Sequence, residues 1–482
     1  MLISVVIFIL YKTDYQAFNK NIEVNSVEDE NKEKNIKDYK ADFIKTNKII
    51  LITLDNLRKD HLSHNGYPIN TSPFIDYLTG KSIVFKNAFS HCSITPVADA
   101  SIFTSLYPLQ HQLFNFNKEK PEDSFLMMAE FLKEKGYKTA AFTSVKHAGI
   151  GNIFQGFEKI NIPDKETRAA DQTFNLALNW VQRLNKSDKY FLWVHIADPH
   201  YLFDGSKKYF DYTKLINNAI DKATLEEALF KNQNIKTLCN DTFKNQELSV
   251  RSRKYILNKI IDYDARIKFV DDEFKKFYNN LELSNDSLWV ITSEHGEGLC
   301  SHAYAYHGLR IYNEQLHVPL LLHFPFRDFS KEIEDIVEHV DILPTIAELV
   351  GFDLNKQIKP IQGTSLLTFL DDNPNFPDKY AFSQRRYFSE ESILTDKDRM
   401  FSLQNKNFKY IFNENNEDEF FSLKEDPLEL NNIINDNLEV EEGFKKEILE
   451  RIVRFTDNKD NDSNRIEDEE LKKILENLGY FK

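Results

Sequence analysis

From Asn47 onward the chain alternates short apolar runs with amphipathic stretches. The run "KIILITLD" (48–55) is apolar, rich in β-branched residues, and ends in a carboxylate. That pattern predicts a parallel strand buried on both faces. "SFLMMAEFLKEKG" (124–136) has helical spacing and a stop at Gly136. "YKTAAFTSV" (137–145) reads as a strand, "DQTFNLALNWVQRLNK" (171–186) as an amphipathic helix, and "YFLWVHIADPH" (190–200) as a strand entering a polar turn. A long helical stretch follows at 253–280, then two strands, "DSLWVITSEHGEG" (286–298) and "HVPLLLHFP" (317–325). This alternation predicts an α/β domain over 45–370, a mostly parallel sheet with helices on both faces. Beyond 370 the pattern shortens. Residues 399–433 suggest small antiparallel strands, a polar loop covers 457–464, and "DEELKKILENLGY" (468–480) suggests a closing helix. The expectation for 371–482 is a smaller α+β subdomain.

The first 44 residues stand apart. Leu2 to Tyr11 are apolar, too few to span a bilayer as a helix, and a charged segment without periodicity follows. The expectation is an export signal or membrane anchor joined to a linker, which favours a location outside the cytoplasm. The 482 residues carry a formal charge of −15, which argues against general nucleic-acid binding. An anionic substrate is not excluded, since a metal ion can set the local field. Cys92, Cys239 and Cys300 have no metal-ligand spacing and form no disulfide framework, so three free thiols are expected.

In open parallel sheets, ligands bind beyond the carboxyl ends of the strands. Asp55, Asp198, His200, Glu294 and His295 all fall at such ends. Singly, a strand-end Asp is most often a turn former and an adjacent Glu–His pair a solvated turn. Three acid- or imidazole-bearing strand ends in one sheet favour a metal site over those readings.

The ordered motifs resemble the sulfatase family of the alkaline phosphatase superfamily. "IILITLDNLRKDHL" resembles its opening strand, "ASIFTSLYPLQHQ" the helix after the nucleophile, and "VHIADPHYLFD" its DPH turn. "ITSEHGEGL", "YHGLRIYNEQLHVPLLL" and "HVDILPTIAELVGF" resemble later segments in order. The resemblance implies an alkaline-phosphatase-like fold and a metal-dependent ester hydrolase. It places the nucleophile five residues before Ala100, at Thr95, rather than at Cys92 or Ser93. The family's usual Cys or Ser, the precursor of formylglycine, is thus a threonine here, and Asp99 stands where an Arg or His is usual.

Threonine cannot form the two-hydroxyl aldehyde hydrate that expels sulfate. A phosphothreonine can instead be cleaved by water or an alcohol. Phosphate esters are therefore expected ahead of sulfate esters. By the same resemblance Asp55, Asn56, Thr95, Glu294 and His295 would bind one divalent ion. The mixed oxygen and nitrogen donors put Zn²⁺ or Mn²⁺ ahead of Ca²⁺ or Mg²⁺. His200 and His307 would contact the substrate anion, and His307 or His302 would protonate the leaving group. His111, His317 and His339 read as scaffold, and the polar insertion at 205–262 as a pocket wall. Two alternatives share this site: transfer of a phospho-alcohol head group to a glycan or lipid acceptor, and non-catalytic binding. Substrate identity and oligomeric state are left open.

Overall fold

The computed structural model describes residues 46–456, apart from 116–124, 201–206, 220–249, 282–285, 326–329, 355–360, 372–375, 378, 386–398, 415 and 437. The apolar N-terminal run, most of the 205–262 insertion and the closing helix expected at 468–480 lie outside the described residues.

A nine-stranded mixed sheet forms the large domain. Its strands are β1 (Lys48–Leu54), β2 (Ser82–Phe89), β3 (Lys138–Thr143), β4 (Lys159–Asn161), β5 (Tyr190–Ile196), β6 (Ser287–Thr292), β7 (His317–Val318), β8 (Leu320–His323) and β9 (Lys331–Glu338). The order is β4-β3-β5-β1-β6-β8-β2-β7, with β9 beside β2. From β4 to β6 every pairing is parallel. The expected strand at 317–325 is broken at Pro319, which has no N–H for the ladder, and β7 and β8 run antiparallel to their neighbours.

Strand register sets the site. Thr53 of β1 lies opposite His195 of β5 and Thr292 of β6. The three central strands therefore end in one row. Asp55, the turn after Ile196, and Glu294 emerge at the same carboxyl edge, the end of such sheets at which ligands bind.

Helices cover both faces. Leu51 pairs with Trp193, whereas Ile50 pairs with Trp289, so the two indoles point to opposite sides of the sheet. Phe103, from the helix α1 (Thr95–Thr104), meets Trp193 edge-on at 4.7 Å. On the other face Tyr278, from the helix α2 (Val250–Asn280), meets Trp289 at 5.1 Å. Each fully buried indole contributes on the order of 2–3 kcal/mol through removal of apolar surface from water. Every residue of α1 is buried, so it lacks the amphipathic signature of a surface helix.

The smaller domain is a four-stranded antiparallel sheet, β10 (Ala381–Gln384), β11 (Met400–Gln404), β12 (Phe408–Asn413) and β13 (Glu419–Ser422), packed under the helix α3 (Leu438–Thr456). Phe382, Tyr410, Phe420, Ile448 and Phe455 share its core with Tyr107 of the large domain. Among the described residues no helix is long and apolar enough to cross a membrane. Cys92 is a free buried thiol, but Cys300 is disulfide-bonded. The expectation of three free thiols is corrected at Cys300, because a disulfide depends on a proximity that spacing does not reveal.

Candidate active site

Thr95 opens α1 as its first residue, with Ile94 in the capping position. Its hydroxyl stands 3.2 Å from Asp55 Oδ1 and 3.3 Å from His295 Nε2. Thr95 is thus part of a polar cluster, not the side-chain cap of its own helix. The His295 ring is fixed from behind. Nδ1 lies 2.9 Å from the Gly296 carbonyl, to which it donates, so Nε2 is the unprotonated nitrogen facing Thr95.

Asn56 adopts a left-handed backbone (φ 63°), which asparagine tolerates better than most residues. Its amide donates to Glu297 Oε2 at 2.8 Å, while its Oδ1 is buried without a hydrogen-bond partner. Glu297 also holds His307 Nδ1 at 3.2 Å. The His307 ring packs 4.8 Å from His200 and 4.7 Å from His295. The glycines of "EHGEG" make this folding possible. A Cβ on Gly296 would lie 2.1 Å from the Glu314 carbonyl, and one on Gly298 would lie 2.2 Å from that of Tyr304.

Glu294 faces a different side of the cluster. With Asp99 and His195 it forms a buried group whose ligand atoms lie within 4.8 Å of one another. The His195 and Asp99 positions were missed as site residues. His195 is embedded in an apolar strand, and Asp99 stood out only as a departure from the family pattern. Glu297 and His147 were missed too. His147 lies close enough to His195 and His200 to depress both.

Burial dominates the electrostatics. It pushes the Asp55 carboxyl up to about 6, with the His307 charge and the Thr95 hydrogen bond pulling back. Burial, then Asp55, raises Glu294 well above the carboxylate range, with the Thr53 hydroxyl opposing. Asp99 is raised by burial and by Glu294 and Asp55. His195 is pushed down to about 3 by burial and then by His147. His295 falls well below its usual value through burial and His307, and His200 does so through burial and its neighbouring rings. Neutral imidazoles and closely spaced carboxyls are groups that could hold a divalent cation. The buried atoms without hydrogen-bond partners agree: Asp55 Oδ2, Asn56 Oδ1, both oxygens of Asp99 and Glu294, and both nitrogens of His195.

Among the expected site residues, Asp55, Thr95 and His295 come together, with Asn56, His307 and His200 beside them and the unexpected Glu297 between Asn56 and His307. His302 does not join them, a correction to its place as an alternative acid. Its Nδ1–H donates to Glu314 at 2.9 Å and its Nε2–H to the Glu429 carbonyl at 2.9 Å. The ring stacks on Tyr312 at 3.7 Å. Both nitrogens are committed, Nδ1 within the large domain and Nε2 to the smaller one. His111, His317 and His339 are likewise bonded within the scaffold, for example His111 to Ser101 at 3.2 Å.

Residues 47–352 match the Sulfatase family model, and residues 303–456 match the model for the C-terminal region of N-sulphoglucosamine sulphohydrolase. This chain belongs to the sulfatase family. Sulfatases are ester hydrolases, and the chain is an enzyme of that class. It is 23% identical to mouse (Mus musculus) arylsulfatase K over 436 residues, covering 80% of this chain and 75% of the relative. It is 21% identical to an arylsulfatase of Clostridium perfringens over 461 residues, covering 80% and 90%. The phosphonate monoester hydrolase of Agrobacterium radiobacter superposes with a TM-score of 0.67 at 18% identity, covering 85% of this chain and 96% of that one. A further structure, solved with its substrate D-glucosamine-2-N,6-O-disulfate, superposes at 0.65 with 19% identity, covering 87% and 100%.

The His302 contacts carry a stability prediction. Burial disfavours its charge, but Glu314 and Glu429 outweigh this and push the ring up to about 9. A raised imidazole contributes its full stabilisation below the unfolded value of about 6.5 and loses it as the pH climbs through about 9. His302→Gln should therefore be less stable than the parent at pH 6–7, by on the order of 3 kcal/mol. The gap should close between pH 7 and 10, because the parent itself weakens. Unfolding midpoints measured across that range check this, and a gap independent of pH would contradict it.

Proposed function

We propose that this sulfatase-family hydrolase cleaves phosphate esters in preference to sulfate esters, through a covalent intermediate on Thr95. The observation that carries the reading is the Thr95 hydroxyl, held between Asp55 and His295 Nε2 at the head of a buried helix. Its residue type argues for phosphorus. Sulfate release in this family uses a second hydroxyl on the nucleophile, and threonine has one.

The donor set fits a divalent ion. Asp55, Asn56 Oδ1, Thr95, His295 Nε2 and Glu294 would hold it, with Zn²⁺ or Mn²⁺ suiting the mixed donors best. When bound, it supplies Lewis acidity that lowers the threonine pKa and neutralises ester oxygens. The chain's own groups do the rest. Asp55 and His295 Nε2 are both placed to accept the Thr95 proton. Thr95 Oγ1 then attacks phosphorus in line as the bond to the leaving alcohol breaks. His307, with Nδ1 held by Glu297, gives the departing oxygen a proton from Nε2. His200, beside it, binds the ester oxygens. Neutral His307 next takes a proton from water, whose oxygen attacks phosphorus and breaks the bond to Thr95, while Asp55 or His295 Nε2 returns the first proton to Thr95 Oγ1.

The fold does not decide between the two esters. By their names, one structural neighbour acts on phosphonate monoesters and another on a sulfated sugar. The test is a rate comparison across matched aryl phosphate monoesters, phosphate diesters and sulfates. Faster turnover of one of the phosphate series is expected, and faster turnover of the sulfate overturns the preference.

A further inference from the structure

We propose that Asp99, His195 and Glu294 form a second divalent-cation site, coupled to the first through the Asp55 carboxylate. The proposal rests on the reading of a first ion at Asp55, Asn56, Thr95, His295 and Glu294, and Glu294 would be shared between the two sites. Asp99 and His195 belong to neither the expected ligand set nor the steps drawn above.

Four observations carry it. The first is convergence, since one ligand atom from each of the three residues lies within 4.8 Å of the others and all three side chains are buried. Opposite ligands of an ion with bonds of about 2.1 Å stand about 4.2 Å apart, so side-chain shifts of about half an ångström would close the group onto an ion. The second is lack of alternative partners. Both oxygens of Asp99 and of Glu294 and both nitrogens of His195 lack a well-formed hydrogen bond, although His195 Nε2 comes within 3.3 Å of Glu294 Oε1 and the Thr53 hydroxyl is near enough to act on Glu294. Buried polar atoms are rarely left so.

The third observation is the straddling position of Asp55. Its Oδ1 serves Thr95 at 3.2 Å and His295 at 3.5 Å. Its Oδ2 turns toward His195 at 3.9 Å and has no hydrogen-bond partner. A carboxylate with one oxygen on each group is the arrangement of a bridging ligand. The fourth is charge. Asp55, Asp99 and Glu294 are three carboxyls, each fully buried and gathered around His195. A single divalent ion leaves three buried carboxylates with one uncompensated negative charge, which repels an anionic ester. Two ions leave one positive charge, which attracts it.

The experiment is metal counting on the full chain, stripped with chelator and dialysed against Zn²⁺ or Mn²⁺. The parent should hold two equivalents. Asp99→Asn and His195→Gln should each hold one, and Thr95→Ala should still hold two. Asp99→Asn also has a readout that misfolding cannot mimic. Removing a buried uncompensated carboxylate should raise the unfolding midpoint of the stripped protein and shrink the rise on adding metal. One equivalent in the parent, unchanged by Asp99→Asn, would overturn the second site and leave the first intact. One equivalent lost in Asp99→Asn but kept in His295→Ala would mean a single displaced ion and would overturn the two-ion arrangement. No bound metal in the parent would remove both readings.

Discussion

Thr95→Ala should lower turnover by a factor on the order of 10³ or more, since removal of a covalent nucleophile has effects of at least that size. Bound metal should be largely unaffected, because Asp55, Asn56 and His295 remain in place around the lost hydroxyl. Thr95→Ser should keep a substantial part of the rate. Serine retains the oxygen and removes only a methyl group, so a packing role would make serine and alanine behave alike, whereas a nucleophilic role separates them. Cys92→Ala should turn over at nearly the parental rate, and mass spectrometry should find unmodified threonine at position 95. Trapping the phosphorylated enzyme by acid quench would locate the phosphoryl group on Thr95. Full activity in Thr95→Ala would remove the covalent step, and an activity loss in Cys92→Ala would shift the register of the nucleophile.

The strands that carry the site were readable because burial on both faces leaves an unbroken apolar run that stops where a functional residue begins. β1 ends before Asp55, and β6 ends just before Ser293 and Glu294. What remained hidden was of two kinds. β2 ("SIVFKNAF") and β9 ("KEIEDIVE") went unnamed, since their polar and charged positions dilute the strand pattern and only pairing with each other and with β7 and β8 makes them sheet. In the site, residue type failed where direction mattered. His302 and His307 are five positions apart and look equivalent in the sequence. The left-handed turn at Leu299 and Cys300, continued by His302 (φ 46°), sends the first ring to Glu314 and leaves the second on Glu297. Glu294 and His295 are adjacent, yet the imidazole sits at the Thr95 hydroxyl while the carboxylate lies with Asp99 and His195. Successive residues leaving a strand point to opposite sides, so an adjacent pair serves two neighbouring groups. That parity was available from the sequence. The presence of Asp99 on the receiving side was not, because it depends on how α1 docks over the strand ends.

His307→Gln should lower turnover by a factor of roughly 10²–10⁴, the usual worth of a general acid, and the size of the loss should depend on the leaving group. An aryl oxide of low pKa departs without a proton, so nitrophenyl esters should be affected least. Alkyl or sugar esters, whose alkoxides are poor leaving groups, should be affected most. The geometry favours His307 over His200 for this proposed role. Glu297 holds His307 Nδ1 at 3.2 Å and is itself fixed by the Asn56 amide at 2.8 Å. A carboxylate on one ring nitrogen fixes the tautomer and supports the imidazolium, leaving the opposite nitrogen to deliver its proton. His200, held well below its usual value by burial and by the neighbouring rings, is poorly suited to carry a proton and better suited to contact substrate oxygens. Glu297→Gln should therefore reproduce part of the His307→Gln defect with the same dependence on the leaving group, through its positioning of the ring. His200→Gln should act chiefly by raising KM, with a loss that varies little across leaving groups. A His307→Gln loss equal for aryl and alkyl esters would move His307 from proton donor to substrate binding. A leaving-group-dependent loss in His200→Gln alone would exchange the two assignments.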